Sequence, residues 1–192
     1  MRRPAYAAPV SPALTHLCQL EPAAPLADVL AFFDSLPPAP IATLIGDWKG
    51  GEIATGHAFD GVLGPSGWHG KRFVSADVVD PLVFRRKDGR LFAGNPGLMP
   101  LGLIKRFPRL ARSKLSAALF RGAAPLFATA RPAARLRMTE HRGVTSATMI
   151  YDALPINDVF RLVDANTLLG AMDIRGFPQP FFFTLRRETA AT

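Results

Sequence analysis

Beyond residue 44 the chain breaks into short segments rich in β-branched and aromatic residues, each bounded by Gly, Pro, Asn or Asp. That spacing constrains the fold more than any other feature. The segments are 44–49, 53–60, 70–76, 81–86, 90–93, 133–140, 144–151, 156–164, 167–174 and 180–187. Arg142-Gly143 and Ala165-Asn166 separate alternating runs by two residues, the length of a tight hairpin. Eight to ten short antiparallel strands with close turns make a sandwich or a barrel. Closure removes strand edges that would otherwise aggregate, so a mainly β antiparallel barrel is the expectation.

The remainder is arranged around that sheet. With 192 residues, 48% of them hydrophobic, the chain can fill one core. Residues 1–25, interrupted by Pro4, Pro9 and Pro12, read as a flexible extension rather than a targeting peptide. A single domain over 26–188 follows, opening on a short N-terminal helix at about 26–36 that Pro37 and Pro38 end. No apolar run reaches the ~20 residues of a membrane-spanning helix. One cysteine, Cys18, excludes an internal disulfide framework, and a cytoplasmic setting is the expected one.

Charge is concentrated in one place. Between Asp88 and Glu140 there is no acidic residue, whereas ten of the 23 Lys and Arg residues lie there. Pro100, Pro108 and Pro125 cut the region into a turn or short helix near 101–107 and a helix near 109–121. In that helix Leu110, Ala111, Leu115, Ala118 and Leu119 share an apolar face expected to pack on the core. This basic helical insertion, at about 98–125, would be a solvated face, a contact with anionic membrane, or a nucleic-acid surface. No RNA- or DNA-binding signature accompanies it, so nucleic acid is not expected.

Strand alternation sets which side chains can line a lumen. In 156–164, Asp158, Phe160, Leu162 and Asp164 oppose Val159, Arg161 and Val163. In 167–174, Leu168, Gly170, Met172 and Ile174 oppose Leu169, Ala171 and Asp173. Neither face is cleanly apolar, which suits an amphipathic guest better than a hydrocarbon. Lys71, Phe73, Phe84, Tyr151, Asp158, Phe160, Arg161, Met172 and Phe182 are the candidate ligand contacts. Lys71, Tyr151, Arg161 and Asp158 would orient a polar head group.

Gly46-Asp47-Trp48-Lys49-Gly50 spells G-x-W-x-G at the start of the first strand. This resembles the bacterial GXWXG-domain family, over about 30–95. The stretches MIYDALPINDVF, RLVDANTLLGAMDIRG and QPFFFTLRRE resemble its companion domain of unknown function, over about 130–188. The family implies no settled activity. The motif is also similar to the opening of calycin barrels (lipocalins, fatty-acid-binding proteins, nitrobindins), where a Trp plugs one barrel end beneath an Arg of the last strand. That resemblance implies a calycin-like barrel in which Arg186 or Arg187 lies over Trp48, with the basic insertion covering the mouth.

The chain carries no G-x-S-x-G, H-E-x-x-H, P-loop or G-x-G-x-x-G. No histidine follows His141, so a nitrobindin-type haem ligand has no counterpart, and neither cofactor nor metal is expected. The expected function is binding of a small hydrophobic or amphipathic molecule, anionic ones included, inside the barrel. The alternative is a cofactor-independent acid–base isomerase, cyclase or dehydratase using Asp158 or Asp173 with Tyr151 or His57. Against the catalytic role stands the ordinary one, in which Asp residues at strand ends bond backbone amides. A homodimer is among the expected assemblies.

Overall fold

A computed structural model describes residues 11–99 and 101–188. Its strands are β1 (Gly46–Ile53), β2 (Trp68–Phe73), β3 (Val79–Arg85), β4 (Leu91–Ala93), β5 (Ala134–His141), β6 (Val144–Tyr151), β7 (Ile156–Asp164), β8 (Thr167–Ile174) and β9 (Phe181–Arg187). The C-terminal strands are fixed by their turns. Arg142 and Gly143 both take positive φ, 53° and 74°, as a type I′ turn requires, so His141 meets Val144 and the β5–β6 register runs unbroken to Ala134 and Tyr151.

The ring closes in the order β1-β2-β3-β5-β6-β7-β8-β9 and back to β1, antiparallel throughout, an eight-stranded barrel. Strand β4 pairs with β3 outside this ring. Strand β3 therefore changes partner along its length, meeting β5 at Val79 and β4 at Val83–Arg85. Pro81 sits at that fork, where a residue without an N–H costs no ladder bond.

The segments expected at 44–49 and 53–60 are a single strand, β1, followed by a loop over 54–62. The Gly50-Gly51 pair reads as a break, yet the strand runs through it because the glycines make room. A Cβ on Gly50 would stand 2.1 Å from the Trp68 ring, and one on Gly170 would stand 2.3 Å from Phe183. Two large aromatics thus lie flat against the inner wall.

Two cores result. Inside the barrel are Trp48, Phe73, Phe84, Leu136, Met149, Phe160, Phe183 and Leu185 among others. Outside β7–β9, helices α1 (Pro12–Leu20) and α2 (Leu26–Ser35) bury Leu17, Val29 and Phe33 against Ile53, Val159, Leu169 and Phe182. Helix α1 corrects the expectation of a loose extension over 1–25: Ser11 caps it through Leu14 N, and Leu17 is fully buried. Residues 1–10 of that extension lie outside the described residues. A short α3 (Ile41–Leu44) leads into β1.

At the base, the Arg187 guanidinium lies 4.2 Å from the centre of the Trp48 ring, as the calycin resemblance implies. The indole Nε1 donates to Leu44 O at 2.6 Å, and Arg187 donates to the carbonyls of Ile45 and Thr43. One cation thus stacks on the plug and caps α3. Arg186 points outward instead, to Glu21 at 2.7 Å. Arg187→Ala is expected to lower the unfolding free energy by about 2 kcal/mol in urea denaturation. Arg187→Lys should recover less than half of it, because an ammonium cannot fork across both carbonyls.

Candidate functional site

Strand β2 carries an irregularity. Its register to β3 shifts between Trp68 and Gly70 and again between Gly70 and Arg72. A bulge resets strand parity, so Trp68 and Lys71, three residues apart, both turn into the lumen. His69 is left on the other side, bonded to Glu188 and Arg85. Lys71 is buried at 3% exposure, its stem among aromatic rings and its Nζ 4.9 Å from the centre of Phe183 and 5.6 Å from that of Tyr151.

Three oxygens surround that Nζ. The Asp158 Oδ2 of β7 is 2.8 Å away, the Pro81 carbonyl accepts at 3.1 Å, and the Tyr151 hydroxyl of β6 accepts at 3.3 Å. The Pro81 carbonyl is supplied by the fork in β3. The Asp158 carboxylate thus meets the Lys71 amine directly and lies beside the Tyr151 hydroxyl. Burial pushes Lys71 down and Asp158 up, each opposed by attraction to the other. Burial, and then the Asp158 charge, push Tyr151 well above the usual phenol range. The surroundings therefore favour a neutral or mutually neutralised pair. Fully buried pairs of this kind add little stability over apolar replacements of similar volume.

Beside this cluster is a cavity of about 220 Å³. Lys71, Tyr151, Trp68, Leu82, Phe84, Met172, Phe181 and Phe183 line it from the barrel. Helices α5 (Leu101–Arg106), α6 (Pro108–Ala111) and α7 (Lys114–Ala123) cover it with Leu101, Ile104, Ala111, Ala117 and Phe120. The loop over 54–62 and α4 (Leu63–Ser66) add Phe59, Val62 and Leu63. Two carboxylates hold that rim: Glu52 accepts from Gly61 N and Gly64 N, and Asp60 from Thr55 N and Gly56 N. The Trp68 indole N–H, in the cavity wall, has no acceptor among the described residues.

The candidate residues separate into three groups. Lys71, Tyr151 and Asp158 come together, with Phe84 and Met172 in the same wall. Phe73 and Phe160 pack edge to face at 5.8 Å in the barrel core and do not line the cavity. His57 is buried among Phe59, Phe177 and Phe181, behind the cavity wall; burial lowers its pKa, and its Nδ1 accepts from Phe59 N at 3.2 Å. Arg161 and Phe182 need correcting: both face outward beneath α2, where Arg161 lies 5.0 Å from the Phe33 ring centre. Asp173 is exposed on the outer face of β8, away from the lumen. One residue along a strand reverses its face, which is why Phe181 and Phe183 line the cavity and Phe182 does not.

The lid also differs from its expected phase. The chain breaks at Arg112–Ser113, where Ser113 caps α7 through Ser116 N, and the break rotates α7. Ala117 and Phe120 then face the cavity, while Leu115 and Leu119 stand 70% and 65% exposed. Arg112 ties the lid down by donating to His57 O at 2.7 Å, and Lys105 donates to Gly176 O at 2.6 Å. Among the described residues, no three His, Cys, Asp or Glu are grouped to hold a metal ion, and no helix is long and apolar enough to cross a membrane.

Two family models match: "GXWXG protein" over residues 31–89 and "Domain of unknown function (DUF4334)" over 132–187. No curated protein matches the chain. A crystal structure of a protein from Thermomonospora curvata is similar at 31% identity and a TM-score of 0.69, covering 92% of this chain and 99% of that one. The GXWXG match spans the plug, β2 and Lys71, and the second match spans the strands that bring Tyr151 and Asp158 to it. The chain belongs to the family in which a GXWXG domain is followed by a DUF4334 domain, folded here into one barrel.

Proposed function

We propose that the barrel binds a small, neutral, largely apolar molecule carrying one oxygen function, with that function against Lys71 and Tyr151. The observation that carries this reading is an apolar cavity with an unpartnered donor, Trp68 Nε1, and a buried Lys–Asp–Tyr cluster in its wall. By volume the cavity suits roughly ten non-hydrogen atoms, given that ~150 Å³ suffices for benzene. Lys71 and Asp158 sum to no net charge whichever of them holds the proton, so a carboxylate guest would bring an uncompensated anion into the cavity. Neutral guests therefore bind better than anionic ones. A second reading, acid–base turnover of the guest, draws on Asp158 standing beside the Tyr151 hydroxyl; Asp158→Asn would keep binding and abolish turnover.

Trp68 lines the cavity and reports on it by fluorescence. 2-Naphthol is expected to bind saturably and 2-naphthoate at least tenfold more weakly. Ala117→Phe, which fills the cavity from α7, should abolish binding while changing stability by less than about 1–2 kcal/mol. Equal affinity for the two naphthalenes, or no binding of 2-naphthol by the unaltered chain, contradicts the reading.

The outer face of the lid is the second surface of this proposal. Leu115, Leu119 and Leu126 project at 70%, 65% and 82% exposure among Lys114, Arg121 and the other cations of a segment without acidic residues. Exposed leucines between cations match an anionic bilayer surface, whereas a second copy would set like charges face to face. A cytoplasmic setting accords with the single free cysteine, Cys18. In vesicle sedimentation, phosphatidylglycerol-containing vesicles should retain the protein and pure phosphatidylcholine should not. Replacing Leu115 and Leu119 together by Ser should weaken retention at least tenfold, and unchanged retention contradicts the contact.

A further inference from the structure

We propose that Lys71 forms a covalent imine with the carbonyl group of an apolar aldehyde or ketone held in the cavity. This rests on the binding reading above and narrows its ligand class to carbonyl compounds. A primary amine that is 3% exposed, in an apolar wall, with a carboxylate oxygen at 2.8 Å and a phenol oxygen at 3.3 Å has the parts the reaction needs. Stability does not explain the pair, since apolar substitutes would do as well inside a barrel. Burial pushes the Lys71 pKa down and that of Asp158 up, each opposed by the other's charge, so across their 2.8 Å contact the ammonium can hand its proton to the carboxylate at less cost than in water, freeing the amine lone pair.

The step balances without oxidant or reductant. The Nζ lone pair forms the C–N bond as the carbonyl π pair moves to oxygen. That oxygen takes the proton that Asp158 holds, and the ammonium formed at Nζ returns one to Asp158. The carbinolamine hydroxyl is protonated from the same cluster and leaves as water while the nitrogen lone pair closes the C=N bond. A protonated imine would then rest against the Asp158 carboxylate as its counter-ion. Trp68 Nε1, otherwise without an acceptor, is a donor in the same wall for the carbonyl oxygen, its ring centre 5.9 Å from Nζ. The apolar lining disfavours the water that would hydrolyse the adduct.

The test is reductive trapping of the full-length chain with benzaldehyde and cyanoborohydride, read by peptide mass spectrometry. A trapped site gains the mass of the aldehyde less one oxygen atom. Lys71 is expected to be labelled at least ten times faster than Lys49, Lys87, Lys105 and Lys114, and benzyl alcohol in excess should suppress labelling at Lys71 alone. Ala117→Phe should remove the Lys71 preference while leaving the other lysines unchanged. Labelling of Lys71 no faster than the other lysines, in protein that still binds 2-naphthol, overturns the imine and leaves the binding reading standing. Absence of both labelling preference and 2-naphthol binding overturns both.

Discussion

The barrel depends on how its ring is shut at β3. Strand β2 pairs with β3 along its length through a bulged antiparallel ladder, but β3 meets β5 through a single residue pair before turning to β4. Pro81 sits at that change of partner, and the lid helices follow β4 in the chain order. The same fork leaves the Pro81 carbonyl free to accept from Lys71. At the opposite end, the Trp48–Arg187 stack and its bonds to α3 hold the base closed. The barrel is pinned at its base and forked toward the lid.

Eight strands enclose a space that side chains can fill completely, so a hollow needs a reason. Here the reason lies in glycines opposite aromatics. Gly50 and Gly170 let Trp68 and Phe183 lie against the wall rather than cross the lumen. The space they leave would have to be filled from the lid, and Ala111 and Ala117 are too small to reach across it. Into that hollow the β2 bulge turns a lysine. It is tolerated there because β7 supplies Asp158 at 2.8 Å, a pairing that spans the two family segments.

Much of this was legible in the amino-acid order where local rules decide. The β5–β6 and β7–β8 hairpins follow from two-residue turns, and an arginine of the last strand over Trp48 follows from the G-x-W-x-G resemblance, which leaves the choice between Arg186 and Arg187 to strand parity. On β8 parity separates Met172 from Asp173, but with neither face cleanly apolar the pattern does not say which one is inner, and Asp173, a catalytic candidate, is exposed. The failures arise where long-range packing overrides the local signal. Gly50-Gly51 resembles a turn unless Trp68 is known to lie against it. Arg161 resembles a lumenal cation until α2 covers it, and the run of three phenylalanines at 181–183 gives no clue to its own phase. The apolar stripe on the lid suggests a core-facing helix, but the Ser113 cap restarts the helix and turns Leu115 and Leu119 outward.

The central claim is a dry hollow beside a buried amine, and diffraction from crystals under xenon pressure tests it most directly. Xenon enters apolar cavities of this size and avoids both packed cores and hydrated ones. Anomalous density between Phe84, Phe120 and Lys71, with the lid in place, is the result this account predicts. Side chains meeting across that space, or a chain of ordered waters through it to the surface, would contradict it.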